Sequence, residues 1–123
     1  MQGGPKGRLL IEGYGGGGFE VAGARNGGSI LILPDRVLPW PITAAAEIDQ
    51  AALGPLLDAA AAKLELLLIG SGARSVAPPA ELRQALRDRG LGLDVMAIPA
   101  ACRTFNILMM EHRAAAAALI AIS

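Results

Sequence analysis

Cysteine, histidine and an excess of charge of either sign are all scarce in this chain of 123 residues. The single cysteine, Cys102, excludes an internal disulfide, and together with the single histidine it leaves too few ligands for a zinc site. The 11 basic residues balance the 11 acidic residues, so no overall field attracts nucleic acid or an anionic membrane surface. We therefore predict no metal, no cofactor and no nucleic-acid partner.

Long hydrophobic runs are also missing. The longest uncharged apolar run, residues 114–122, is far shorter than the ~20 residues that a membrane-spanning helix needs. Residues 9–11 are too few for the core of a signal peptide, and Glu12 follows them directly. The sequence predicts a soluble protein of a reducing, cytoplasmic compartment that does not insert into a membrane.

Small aliphatic residues dominate what is present. Hydrophobic residues make up 53% of the chain, but aromatic residues make up only 3%, so the core must be built from leucine, isoleucine, valine and alanine. The length is normal for one domain, and we predict a single domain over residues 1–123 with a flexible segment at 1–8. Charged residues are only 18% of the chain, which predicts that some surface is covered by a protein partner or by a second copy.

The first third of the sequence indicates β structure. Phe19 and Val21 alternate with more polar positions, and residues 30–33 form a continuous apolar run typical of a strand buried on both faces. Residues 26–28, "NGG", favour a tight turn between them. The glycines at 15–18 resemble a phosphate loop, but a strand and not a helix follows them, so we interpret them as the entry to a hairpin.

Trp40 lies between Pro39 and Pro41, which predicts an extended edge or connecting segment. We interpret the indole as a cap on the core. The alternative is that it anchors a partner, because single aromatic residues are common at interfaces.

Helices and strands alternate in the rest of the chain. Boundary residues and apolar spacing predict a helix from Gly54 and Pro55, a buried parallel strand at 64–70, a helix at 79–90, a strand at 91–98 and a last helix from 99 or 100 to about 113. Residues 114–123 fit either a helix or a final core strand. This order indicates an α/β fold with parallel strands.

The two segments that follow the predicted parallel strands carry the candidate site. Ligands in open α/β sheets bind beyond the carboxyl ends of the strands, and backbone N–H groups at a glycine loop and at a helix start favour an anion. We therefore predict that an anion binds between residues 70–75 and the start of the last helix. The candidate ligand-binding residues are Gly70, Ser71, Gly72, Arg74, Cys102, Arg103, Thr104 and Asn106.

Cys102 is the one candidate nucleophile. It lies in the first turn of the last helix beside Arg103, and both features lower the pKa of a thiol. His112 is ten residues farther along the same helix, about 15 Å away by helical rise, so it cannot act as the base for Cys102. The alternative is that Cys102 is simply a small buried residue, and we predict no complete catalytic set.

Several segments together resemble the Mth938-like (DUF498) domain family. The most specific are "LLLIGSG" at 66–72 and "AACRTFN" at 100–106; "YGGGGFEVAG" at 14–23 also fits. The resemblance implies a three-layer α/β fold with a central mixed, mostly parallel sheet, an antiparallel last strand, flanking helices and a small β element. It also implies that residues 114–122 form a strand, and that His112 stands where the family usually has a glycine, at a strained positive-φ position.

Members of this family include bacterial proteins of unknown role and a mitochondrial assembly factor for respiratory complex I. The resemblance implies a non-catalytic binding or assembly module that acts in respiratory-complex or membrane-protein assembly. The alternative is an enzyme or sensor that binds a small anion between residues 70–75 and 102–106 through Arg74 and Arg103. We favour the first hypothesis because the sequence shows no nucleophile–base pair and no metal constellation.

Overall fold

The chain forms two β-sheets and three α-helices over residues 9–60 and 64–123, the part that this computed structural model describes. The strands are β1 (Ile11–Gly15), β2 (Gly18–Val21), β3 (Ala24–Gly27), β4 (Ser29–Ile32), β5 (Val37–Trp40), β6 (Leu66–Gly70), β7 (Gly92–Met96) and β8 (Ala115–Leu119). The helices are α1 (Gly54–Ala60), α2 (Ala80–Asp88) and α3 (Ile98–Met110). The predicted flexibility of residues 1–8 lies outside the described residues.

The main sheet has the strand order β5-β4-β8-β6-β7. β6 pairs in parallel with both β7 and β8, whereas β4 pairs antiparallel with both β8 and β5. The resemblance implied that the last strand is antiparallel to the rest of the sheet. Instead, β8 runs parallel to β6, and the strand that runs opposite to all the others in this sheet is β4. The reason is the helix before β8, since α3 returns the chain to the starting end of the sheet and the next strand then runs parallel to β7.

The alanine-rich segment forms the central strand β8, as the resemblance implied. All five of its residues are buried, and Ala117 pairs with Ile32 on one side and Leu68 on the other. A central position gives the backbone of β8 hydrogen-bond partners along both edges. These hydrogen bonds outweigh the helix propensity of alanine, which favours a helix by at most about 0.7 kcal/mol per residue relative to ordinary residues.

The small sheet is a three-stranded meander of β1, β2 and β3. Its first turn lies at Gly16 and Gly17, which confirms that the glycine-rich segment is a hairpin. The "NGG" turn differs from the simple prediction of a turn between paired strands. Gly28, with a φ of 80°, joins β3 to β4, which belong to different sheets. The turn therefore directs the chain from the small sheet into the main one.

Side chains on the two faces of the main sheet form two separate cores. Leu67 and Ile69 of β6 pack with α1 and α2 on one face, and Leu68 between them packs with α3 and the small sheet on the other. This alternation follows from the two-residue period of a strand. It gives the three layers that the resemblance implied.

Trp40 caps the core between the main sheet and α1. Its side chain is buried, and the indole Nε1 donates a hydrogen bond of 2.8 Å to the carbonyl oxygen of Ala52. The interpretation as a core cap is confirmed. The alternative of a partner anchor is wrong, because the residue is only 4% exposed.

Candidate functional site

The two predicted segments do meet at the carboxyl ends of β6 and β7. The amide of Ser71 donates to the carbonyl oxygen of Met96 at 2.9 Å, and the amide of Ile98 donates to the carbonyl oxygen of Gly72 at 2.9 Å. These bonds join the loop after β6 to the start of α3. Their proximity, which the parallel arrangement predicted, is confirmed.

Ser71 organises the loop from its interior. It is buried, its hydroxyl donates to the carbonyl oxygen of Arg74 at 2.8 Å, and its Oγ accepts a hydrogen bond from the amide of Val76 at 2.8 Å. Both bonds close the loop on itself. The hydroxyl that we predicted to contact an anion is thus already bound within the protein.

The start of α3 is also partly closed. Of its first two residues, Ile98 donates its N–H to Gly72, and Pro99 has no N–H to offer. Two of the donors that make a helix N-terminus attractive to an anion are therefore missing here. Thr104, one turn later, is half-buried and lies with its Oγ1 3.4 Å from the sulfur of Met96.

Gly70 serves packing between strand and helix. A Cβ atom at this position would lie 2.6 Å from Cδ1 of Ile98, 2.8 Å from Cδ2 of Leu119 and 3.2 Å from Cβ of Ala101. The missing side chain therefore allows α3 to approach β6 closely. The position faces the core, although the sequence equally allowed a role for its N–H in binding a ligand.

Cys102 is buried, with 5% of its surface exposed, and its thiol is free. Burial raises the pKa of this thiol from 9.0 to about 11, because the uncharged form is favoured where water is excluded. The predicted lowering of the pKa by the helix end and by Arg103 is therefore wrong. At neutral pH the group is a protonated thiol, which is a poor nucleophile.

His112 confirms one detail of the resemblance. It lies in the turn after α3 and has a φ of 58°, the left-handed conformation that glycine adopts most easily. The residue is exposed and lies at the opposite end of α3 from Cys102. The structure thus agrees that the two residues cannot act as a pair.

A groove of about 310 Å³ lies between β1 and α3, and sequence reasoning missed it. Three of the predicted residues, Cys102, Arg103 and Asn106, line it on the α3 side. Residues from β1 line the other side; among them are Glu12 and Tyr14. No local pattern could have indicated this groove, because its two walls are about ninety residues apart in the chain.

The side chain of Asn106 links α3 to β1, the two elements that line the groove. Its Oδ1 accepts a hydrogen bond from the amide of Ile11 at 2.8 Å, and its Nδ2 donates to the carbonyl oxygen of Ile11 at 2.7 Å. The side-chain amide thus satisfies both backbone groups of the first residue of β1. We predicted Asn106 as a ligand-binding residue, and the structure shows it holding β1 on α3.

The predicted residues therefore divide between two places. Gly70 is the last residue of β6, and Ser71, Gly72 and Arg74 belong to the loop that follows it, whereas Cys102, Arg103 and Asn106 line the groove beside β1. Thr104, the remaining predicted residue, lies on α3 against Met96. Arg74 and Arg103 are both exposed.

Across residues 9–60 and 64–123, no group of three histidine, cysteine, aspartate or glutamate residues could hold a metal ion. Within the same residues, no helix combines the length and the apolar character required to cross a bilayer.

Comparison with known proteins identifies relatives over nearly the whole chain. The model of the family described as "Protein of unknown function (DUF498/DUF598)" matches residues 11–120. The NADH dehydrogenase (ubiquinone) 1 alpha subcomplex assembly factor 3 of Danio rerio is 36% identical over 111 residues, which cover 90% of this chain and 63% of that protein. The chain spans about three-fifths of the length of the first curated relatives that it matches.

Solved structures agree with this similarity. The crystal structure of an outer membrane protein from Bartonella henselae has a TM-score of 0.88 and 37% identity, and the match covers 95% of this chain and 98% of that one. The solution structure of a Mth938-like domain from Bordetella pertussis has a TM-score of 0.79 and 27% identity, with 100% of this chain and 93% of that one covered. The expected α/β fold is confirmed.

Proposed function

The chain belongs to the DUF498/DUF598 family, and from this premise we propose that it is a non-catalytic binding module that assists the assembly of a multisubunit protein complex. The similarity to the NADH dehydrogenase assembly factor carries the proposal, since it covers 90% of the chain. The complex that we assign is the respiratory NADH dehydrogenase or a related membrane-bound assembly. The partner is then a subunit of that complex, and the compartment is the reducing cytoplasm.

The chemistry of the site supports binding over turnover. The side chains of Ser71 and Asn106 form hydrogen bonds within the protein that hold the loop and β1 in place. The Cys102 thiol is buried, and burial raises its pKa. A nucleophilic mechanism needs an activated group with a base in reach. Segments that are already held in place lose less conformational freedom when a partner binds, which favours recognition.

Deletion of the gene in its own host tests the assembly role. We expect native gels of the membranes to show less fully assembled NADH dehydrogenase and more of its partial complexes. Complementation with the wild-type chain restores the complex, and so does Cys102→Ser, because the thiol performs no chemistry. Unchanged assembly after deletion would contradict the proposal. Failure of a Cys102→Ser chain that is folded, by its circular dichroism spectrum, to restore the complex would indicate an enzyme.

The alternative function is an enzyme or sensor that binds a small anion between residues 70–75 and 102–106. The contact between the loop after β6 and the start of α3 favours it, since Arg74 lies in that loop and Arg103 lies on that helix. Inorganic phosphate in a thermal-shift titration is the simplest probe. Under this hypothesis phosphate raises the melting temperature of the wild type but not of Arg74→Ala or Arg103→Ala. Arg83→Ala, an exposed arginine on α2, is the matched control.

A further inference from the structure

The outer face of α3 carries an unusual concentration of exposed apolar groups. Four large hydrophobic side chains are exposed among the described residues, and two of them, Ile107 at 51% and Met110 at 59%, lie on this helix. A third, Tyr14 at 45%, lines the adjoining groove from β1 together with Arg103. Tyrosine, methionine and arginine are enriched at protein interfaces. We call Tyr14, Arg103, Ile107, Met110 and Glu111 the α3 patch.

The charges of the α3 patch are placed symmetrically about its apolar centre. Arg103 lies four residues before Ile107, and Glu111 lies four residues after it; both are exposed. Residues four apart share one face of a helix, and each is about 6 Å along the axis from the centre. Along this face of α3, a basic, an apolar and an acidic side chain therefore follow one another at equal spacing.

We propose that the α3 patch is an interface between two copies of this chain. In a twofold arrangement with Ile107 on the axis, the two α3 helices cross antiparallel, and position 103 of one protomer faces position 111 of its partner. The same contact occurs twice, so that two reciprocal Arg103–Glu111 ion pairs flank an Ile107–Ile107 contact. This is the self-complementarity that an isologous interface requires.

Charge complementarity selects a second copy as the occupant of the α3 patch. A surface for an unrelated partner needs charges that match that partner, whereas this stripe carries opposite charges at equal distances from one central residue. Arg103 makes no ion pair within the described part of the chain, so it is available for this contact. The two bonds of Asn106 to Ile11 hold β1 beside α3, and the patch therefore needs little ordering on association.

Analytical ultracentrifugation of the purified chain over a wide concentration series tests the interface. We expect a reversible species of twice the 12.6 kDa chain mass, and we expect Ile107→Asp to remain at 12.6 kDa while keeping the wild-type circular dichroism spectrum. A wild-type chain that stays monomeric throughout would overturn the proposal and leave the patch to a different protein. The proposal does not rest on the assembly function, which gene deletion tests separately.

A charge-exchange series tests the antiparallel geometry itself. Arg103→Glu and Glu111→Arg each place like charges opposite one another, so each should raise the dimer dissociation constant by about tenfold or more. The double variant Arg103→Glu with Glu111→Arg reverses both charges and should return the constant close to the wild-type value. Arg83→Glu on α2 is the matched control and should have no effect. Single variants that dimerise normally, or a double variant that fails to recover, would overturn this interface.

Discussion

The two faces of the main sheet differ in what their covering layers do. The face under α1 and α2 encloses an aliphatic core, and its one large aromatic residue, Trp40, is buried and hydrogen-bonded. The face under α3 and the small sheet has a core as well, but its covering elements also expose Tyr14, Ile107 and Met110. None of the exposed large hydrophobic side chains of the described residues lies on α1 or α2, so the exposed apolar surface is concentrated on the α3 side.

Loss of a core aromatic residue on the α3 side should have the largest effect. Phe105 is fully buried, and Phe105→Ala should lower the free energy of unfolding by about 3–5 kcal/mol, because it removes apolar contacts and leaves a cavity. Leu56→Ala is the matched change under α1 and should cost about 2–5 kcal/mol. Urea denaturation measures both. A cost below about 1 kcal/mol for Phe105→Ala would show that the α3 layer is loosely packed.

Removal of the link between β1 and α3 should have the next largest effect. Asn106→Ala leaves the N–H and C=O of Ile11 without their partner, and we expect a loss of about 2–3 kcal/mol. Amide hydrogen exchange at Ile11 should also accelerate more than exchange in β6. Asn26→Ala is the control, since Asn26 makes an exposed bond to Ala24, and it should change stability by less than about 0.5 kcal/mol.

Alkaline pH should weaken the α3 side through Cys102. Burial raises the pKa of the folded thiol from 9.0 to about 11, so the unfolded chain loses this proton first as the pH rises. The stability that burial of the neutral thiol provides is intact below pH 9 and is lost between about pH 9 and 11, by at most about 1.4 kcal/mol per pH unit.

The comparison of wild type with Cys102→Ala in urea denaturation at several pH values isolates this effect. The wild type should lose more stability than the variant over that interval, and alkylation of the native thiol at neutral pH should be slow. Parallel pH profiles, or rapid alkylation of the folded protein, would contradict the burial of the thiol.

The smallest effect is expected at the end of α3. His112→Gly relieves a side chain from a positive φ, a conformation that costs other residues about 1–2 kcal/mol, but glycine adds conformational entropy to the unfolded chain. We expect a net gain of up to about 1 kcal/mol, seen as a small rise in melting temperature. Glu111→Gly, one residue earlier and with a φ of −89°, should instead destabilise.

Local signals predicted most of the elements. Helix α1 begins at Gly54 and Pro55, and α2 begins directly after a proline, as predicted. Gly90, which has a positive φ, follows the end of α2. These residues restrict or free their own backbone, so their effect needs no distant partner.

The candidate site was only partly predictable. The convergence of the loops followed from parallel strands, but the groove beside β1 did not.

The sequence by itself determined which segments are buried, where helices begin and end to within about three residues, and that the carboxyl ends of β6 and β7 would bring two loops together. Only the tertiary structure decided that five residues rich in alanine form the central strand, that β4 opposes the other strands, and that Cys102 has a raised and not a lowered pKa. Periodicity and turn chemistry act within a few residues. Strand order, burial of a thiol and a groove between β1 and α3 depend on which distant segments pack against one another, and that is settled by the whole core.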